Sequence, residues 1–248
     1  SGFVLQKIKK SDMTRVKKKY LHVQLTQIVG IGSEKANNLI KLGLKNISQL
    51  KQKKWQSHLT SATILWLNHK PNQKIYRNFI THMKPKLTSG FAKTALAKKH
   101  KVKIQIVGGY LRQKEYSKDI DIMIVSNTLT IQNYIDYLKK KYKTIVYSKG
   151  PDKASLLIQG IRRDYYKVDI FITPVKYQYA MLLYSTGSRE FNIKMRRLAK
   201  KKGFLLNQKG LYKLKNLVIL KSSGPIKVKS EKHIFEKLGI QYIPPENR

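Results

Sequence analysis

The chain has no cysteine and only 13 acidic residues among 248, set against 52 lysines and arginines. Without cysteine there is no disulfide framework and no thiolate zinc site. No apolar run approaches the roughly 20 residues that a membrane span needs, and the first residues lack the apolar core of a secretory signal. These absences lead to the expectation of a soluble, intracellular protein with no membrane partner. The scarcity of acid leaves a formal net charge of +39. A compact chain with that imbalance repels itself, so a polyanionic partner follows. Nucleic acid fits best, because the basic residues run along the whole chain. The alternatives from charge alone are a ribosomal-type or histone-like binder, or an acidic membrane surface, for which there is no amphipathic anchor.

Apolar content, at 41%, is that of a folded protein and argues against global disorder. Residues 1–22 are basic and weakly patterned, with Lys7, Lys9, Lys10, Arg15, Lys17, Lys18 and Lys19, and read as an arm or a short helix. Residues 23–82 read as helical, broken at Gly30-Ile31-Gly32 and at Gly43. Pro71-Asn72 and Lys84-Pro85-Lys86 are candidate joints. From 102 the pattern changes to strands: 102–107, 120–125, 154–158 and 166–172, with a helix at 130–142. A further helix is expected from Arg189 to Lys202, stopped by Gly203, and another at 231–238 among short strands.

In so basic a chain the placement of acids is informative. Asp119 and Asp121 are two residues apart, so strand alternation puts both carboxylates on one face and Ile120 and Ile122 on the other. In Tyr166-Lys167-Val168-Asp169-Ile170-Phe171-Ile172 the apolar residues again take one face and Asp169 the other. If the two strands are neighbours, three carboxylates converge and repel unless cations sit between them. Hard oxygen ligands suit Mg²⁺ or Mn²⁺. Two such ions about 4 Å apart can activate a hydroxyl and stabilise a leaving pyrophosphate. Gly108-Gly109 ends the preceding strand, with Arg112 after it, and exposed amides beside a guanidinium suit a triphosphate. Each feature alone also occurs on ordinary strand faces and turns.

Gly108-Gly109-Tyr110-Leu111-Arg112 followed by Asp119-Ile120-Asp121 resembles the nucleotidyltransferase core of DNA polymerase beta and its relatives. Tyr184-Ser185-Thr186-Gly187-Ser188, then Phe191-Asn192 and Met195-Arg196, resembles the nucleotide-binding segment of polymerase family X. Glu231 to Phe235 and Tyr242 to Pro245 resemble that family's C-terminal end. Ile28-Val29-Gly30-Ile31-Gly32-Ser33-Glu34-Lys35-Ala36 resembles a helix–hairpin–helix motif, which grips a phosphate without reading sequence.

The resemblance implies an α+β fold: helical fingers with the hairpin motif, a nucleotidyltransferase palm with a mixed β-sheet, and a small α/β thumb. It divides the chain into an arm at 1–22, fingers at 23–83, palm at 84–175 and a nucleotide-binding thumb-type domain at 176–248. It implies template-directed DNA synthesis from deoxynucleoside triphosphates on gapped or primed duplex DNA, with two Mg²⁺ or Mn²⁺ ions. By that likeness Asp119 and Asp121 bind both metals, and Asp169 binds the one near the primer 3′-hydroxyl and accepts its proton. Gly108, Gly109, Arg112, Ser117 and Lys118 fall where the family holds the triphosphate. Tyr184 and Gly187 fall against the sugar, Arg189 on the incoming base and Asn192 at its minor-groove edge. Arg196 and Lys167 are expected at the DNA. Gly30, Gly32, Glu34 and Lys35 are expected on the DNA backbone, and the carbonyls of Thr26, Ile28 and Ile31 on a monovalent cation, Na⁺ or K⁺. Departures are Gly109 for a serine, Ser185 for an aromatic, Arg189 for an acid, and Lys167 and Phe171 for two arginines.

About 25 residues before the hairpin motif are too few for the family's lyase domain, so no lyase activity is expected, as in small viral members. The short Lys143–Lys153 stretch favours template-directed over template-independent transfer, and no leftover acid cluster points to proofreading. Short-gap repair by a monomer, followed by a DNA ligase, is the expected setting. The expected location is the nucleus or, for a viral protein, the host cytoplasm or virion. The competing readings are a template-independent nucleotidyltransferase and a non-catalytic DNA-binding protein.

Overall fold

A computed structural model describes residues 10–248, apart from 73, 161, 216–217 and 220–223. The part of the expected basic arm at 1–9, with Lys7 and Lys9, lies outside the described residues. Two compact units divide between Lys70 and Pro71, at the expected Pro71-Asn72 joint.

The first unit is helical. It contains α1 (Lys10–Thr26), α2 (Ser33–Lys41), a 3₁₀ turn (Ile47–Lys51), α3 (Lys53–Gln56) and α4 (Ser61–His69). Leu21, Leu25, Ile28, Ile31, Leu39 and Leu50 form its core. A boundary at 22/23 is corrected here, because it falls inside α1: Leu21 and Leu25, four apart, bury the same helix face. Between α1 and α2 the chain turns at Gly30, which has φ +80°. A Cβ there would stand 2.5 Å from the Thr63 hydroxyl, which donates to the Val29 carbonyl at 2.9 Å. Glycine is therefore demanded by backbone angle and by crowding together.

The second unit is α+β. It runs β1 (Ile75–Tyr76), α5 (Arg77–Leu87), α6 (Ser89–Ala92), α7 (Ala95–Lys99), β2 (Lys103–Ile106), α8 (Gly108–Leu111), β3 (Tyr116–Ser117), β4 (Ile120–Val125), α9 (Ile131–Lys141), β5 (Thr144–Lys149), β6 (Lys153–Gln159) and β7 (Tyr165–Thr173). It ends with α10 (Gln178–Thr186), α11 (Arg189–Lys201), β8 (Phe204–Asn207), β9 (Gly210–Lys215), β10 (Val218–Ile219) and α12 (Glu231–Lys237). The main sheet has the order β2-β4-β7-β6-β5 and is mixed: β4 and β7 are parallel, the other pairs antiparallel. The parallel pair needs a long crossover, which α9 and the β5–β6 hairpin supply.

A joint at Lys84-Pro85-Lys86, and with it the 83/84 boundary, is also corrected, since Pro85 lies inside α5. Proline removes the bond to the Thr81 carbonyl, but Ile80, Met83 and Leu87 stay buried on the sheet and hold the helix through it. Near the C-terminus Arg248 makes two bonds of 2.8 and 2.9 Å to Glu231 and another of 2.8 Å to the Ile243 carbonyl. That pairing compensates the burial of both charges.

Candidate active site

β4 and β7 present alternate residues to opposite sides of the sheet. Ile120, Ile122, Ile124, Val168, Ile170 and Ile172 enter one apolar core. Met123, Val125 and Phe171 enter a second, capped by Met181 of α10. The parallel register sets Asp121 directly beside Asp169, with Asp119 just ahead of β4. Ligand oxygens of Asp119, Asp121 and Asp169 all lie within 4.8 Å of one another. Three carboxylates at that spacing, on neighbouring strands of a basic protein, fit hard divalent cations.

The surroundings treat the three acids differently. Asp169 is 6% exposed. Its Oδ1 accepts the Ser155 hydroxyl at 2.6 Å. Its Oδ2 accepts Lys167 at 3.1 Å and faces Lys153 at 3.5 Å. Lys167 also donates to Asp119 Oδ2 at 3.0 Å. Lys167, expected at the DNA, thus has its ammonium between two carboxylates here. Burial alone pulls that ammonium down, but Asp169 and Asp119 outweigh it and leave it above its ordinary value. Burial pushes the Asp121 carboxyl well above the usual carboxylate range, and Asp119 and Asp169 push it further; Lys167 and Lys153 offset only part of this. The cluster is short of positive charge.

Beside the acids lies a cavity of about 850 Å³. Gly108, Gly109, Arg112, Ser117, Lys118, Tyr184, Gly187, Arg189, Asn192 and Arg196 line it together with Asp119 and Asp121. Gly108 has φ +63°, and a Cβ on it would collide with the Asp121 carboxylate. Gly109 is explained by Ser117: a side chain at 109 would run into the Ser117 hydroxyl. Arg112 donates through Nη1 to the Thr186 carbonyl, tying α8 to the end of α10. Arg112 Nε, Ser117 Oγ and Thr186 Oγ1 are buried with no partner. Unmet donors at one wall are costly unless a ligand supplies acceptors.

The other wall is built by α10 and α11. Ser188 caps α11, accepting the Phe191 amide at 3.3 Å. Asn192 donates to the Tyr184 carbonyl at 2.8 Å, and the Arg196 guanidinium stacks 5.4 Å over the Tyr184 ring. Phe171 meets the Tyr184 ring edge-on at 6.3 Å. Ser185 is buried, and its hydroxyl donates to the Met181 carbonyl at 2.7 Å. Sequence reasoning missed Lys153, Ser155 and Thr186. Strand register would have found the first two, since Ser155 pairs with Asp169 and Lys153 with Phe171. Gly30, Gly32, Glu34, Lys35, Thr26, Ile28 and Ile31 belong to the helical unit, around the α1–α2 turn.

The family model of the DNA polymerase beta thumb matches residues 181–248. A repair DNA polymerase X of African swine fever virus is 28% identical over 144 residues, 57% of this chain and 79% of the viral one. A DNA nucleotidylexotransferase of Xenopus laevis is 24% identical over 91% of this chain and 51% of its own length. Polymerase beta of Leishmania infantum in a ternary P/T complex aligns with TM-score 0.78 and 26% identity, covering 94% of this chain and 99% of that one. The acids, the cavity and these relatives agree: the chain is similar to DNA polymerases of family X, has the polymerase beta fold, and is a DNA polymerase of the nucleotidyltransferase class.

Proposed function

We propose that the chain extends a primer 3′-hydroxyl with deoxynucleotides, directed by a template, on short gaps in duplex DNA. The observation that carries this reading is the convergence of Asp119, Asp121 and Asp169 beside a cavity whose buried donors lack partners. The viral relative is named as a repair enzyme, and the Leishmania infantum polymerase beta was also captured as a ternary gap complex.

In this reading the three aspartates hold two Mg²⁺ or Mn²⁺ ions, which would supply Lewis acidity to the hydroxyl and the leaving pyrophosphate. The unpaired Nε of Arg112 and hydroxyl of Ser117, with Gly108, Gly109 and Lys118, bind the triphosphate. Tyr184 and Gly187 bound the sugar, Arg189 stacks on the base, Asn192 reads its minor-groove edge and Arg196 meets the template. Asp169 Oδ2 takes the primer proton, and Lys167 serves as a positive neighbour to the acids and to the DNA. The α1–α2 turn, with Gly30 and Gly32 exposed and no side chain capping α2, grips a backbone phosphate with help from Glu34 and Lys35. A Na⁺ or K⁺ on the carbonyls of Thr26, Ile28 and Ile31 would share that turn; the Ile28 carbonyl already accepts the Ile31 amide at 3.1 Å and keeps one lone pair. We read the helical unit as fingers, the main sheet as palm, and α10 to the C-terminus as thumb. A monomer working inside a cell, ahead of a nick-sealing ligase, fits this chemistry. Among the described residues no helix is long and apolar enough to cross a membrane.

The nucleotidylexotransferase relative keeps template-independent transfer as a second reading. The β5–β6 hairpin closes over residues 150–152 alone, which favours the templated one. Incorporation on a one-nucleotide gap, with all four templates and both sugar types, separates them. Addition that follows the template base supports the proposal; addition that ignores it overturns it.

A further inference from the structure

One phenol near the acids has no part in the scheme above. Tyr147 stands at an irregularity in β5: Val146 pairs with Leu156 and Ser148 with Ser155, so Tyr147 is the extra residue of a bulge. Bulges re-aim side chains and occur beside active sites. Val146 packs against the isoleucine face of the sheet. The Tyr147 hydroxyl is buried, lies beside Ser155 and is within the fields of Lys167, Asp169 and Asp119. It sits outside ordinary hydrogen-bond geometry, with no partner.

Ser155 is the link. It is 8% exposed, and its one proton goes to Asp169 Oδ1 at 2.6 Å. A hydroxyl that has given its proton away can still accept one, and the neighbouring Tyr147 phenol is buried with its own proton unplaced. The two oxygens of Asp169 are therefore divided. Oδ1 is committed to Ser155, and Oδ2 meets Lys167 and Lys153.

The geometry points to Ser155 and Tyr147 as positioning residues for Asp169: Ser155 fixes Oδ1, Tyr147 backs Ser155, and Oδ2 alone is presented to the reaction. This rests on the role proposed above for Asp169. A carboxylate held by one oxygen cannot exchange its two oxygens by rotation, so its ligand geometry is set before substrate arrives. Partners of this outer kind are worth about 10- to 100-fold in metal affinity or activity.

The test uses the full chain on a one-nucleotide gap with Mg²⁺, comparing Ser155→Ala, Ser155→Thr and Tyr147→Phe. Ser155→Ala is expected to lower kcat, or raise the Mg²⁺ concentration for half activation, by about 10- to 100-fold. Nucleotide KM, DNA affinity and melting temperature stay near wild type, as a merely structural role would not allow. Ser155→Thr restores the hydroxyl and the rate. Tyr147→Phe moves kcat and the Mg²⁺ midpoint the same way, by less. The inference is overturned if Ser155→Ala matches wild type in both quantities, or if Ser155→Thr folds normally yet stays slow. Should Ser155→Ala fail to fold, wild-type values for Tyr147→Phe overturn it instead. Asp169→Asn is the control: if that variant keeps its activity, the role of Asp169 fails and not merely its positioning.

Discussion

The two faces of β4 and β7 do opposite work. On one, Ile120, Ile122, Ile124, Val168, Ile170 and Ile172 are at most 6% exposed and pack into one apolar core. On the other, one residue along each strand, Asp121 and Asp169 stand side by side, and two lysines pair with Asp169. Each buried isoleucine contributes roughly 1.5–3 kcal/mol, while the facing acids oppose folding until their charge is met. The apolar face thus holds the strands in register, and the register sets the spacing of the acids. Packing and chemistry are separable by a single step along the chain.

If that separation holds, substitutions on the two faces fail differently. Ile122→Ala should cost about 2–5 kcal/mol of stability while each folded molecule keeps near-normal kcat; chemical denaturation and active-site titration check both halves. Gly108→Ala should do the reverse. Its φ of +63° and the Asp121 carboxylate leave no room for a Cβ, so kcat should fall on the order of 100-fold, about 2.7 kcal/mol, with a smaller change in melting. Arg112→Lys loses the fork that joins Thr186 to the cavity; nucleotide KM should rise about ten-fold with kcat less affected, measured by steady-state incorporation.

The smallest effect concerns the acids themselves. Folding raises the Asp121 carboxyl, so it carries no cost below the ordinary carboxylate range, and the cost grows as pH rises above that range until it is complete at the raised value. Asp121→Asn should therefore stabilise the metal-free protein at neutral pH, by about 1 kcal/mol or roughly 2–4 °C. A calorimetric scan in chelator checks it, and a lower melting temperature would contradict the view that like charge is unmet there.

Alternation made this contrast legible in advance. The strand expected at 120–125 has those bounds, those at 154–158 and 166–172 lie within β6 and β7, and the helix expected at Arg189 begins there. What was not legible depended on register or on contacts between distant segments. Ser155 is an ordinary strand serine until β6 pairs it with Asp169. Glycine at 109 reads as a missing hydroxyl until Ser117 is seen to fill its space. The two-residue pair β1–β3 is too short to leave a pattern, and the arm boundary failed because the basic stretch to Lys19 and the buried Leu21 and Leu25 belong to one helix. Phe171 stands where the resemblance offers an arginine, and the structure gives it an edge contact with Tyr184 in place of an ion pair.

The central claim is that the acidic face performs nucleotidyl transfer and does not merely decorate a DNA-binding fold. Single-turnover incorporation on a one-nucleotide gap, with wild type and Asp169→Ala both saturated with DNA, tests it most directly. The account predicts one templated addition by wild type in Mg²⁺, and loss of roughly three orders of magnitude in Asp169→Ala, about 4 kcal/mol, with DNA bound at least as well. Incorporation by Asp169→Ala at the wild-type rate would contradict it.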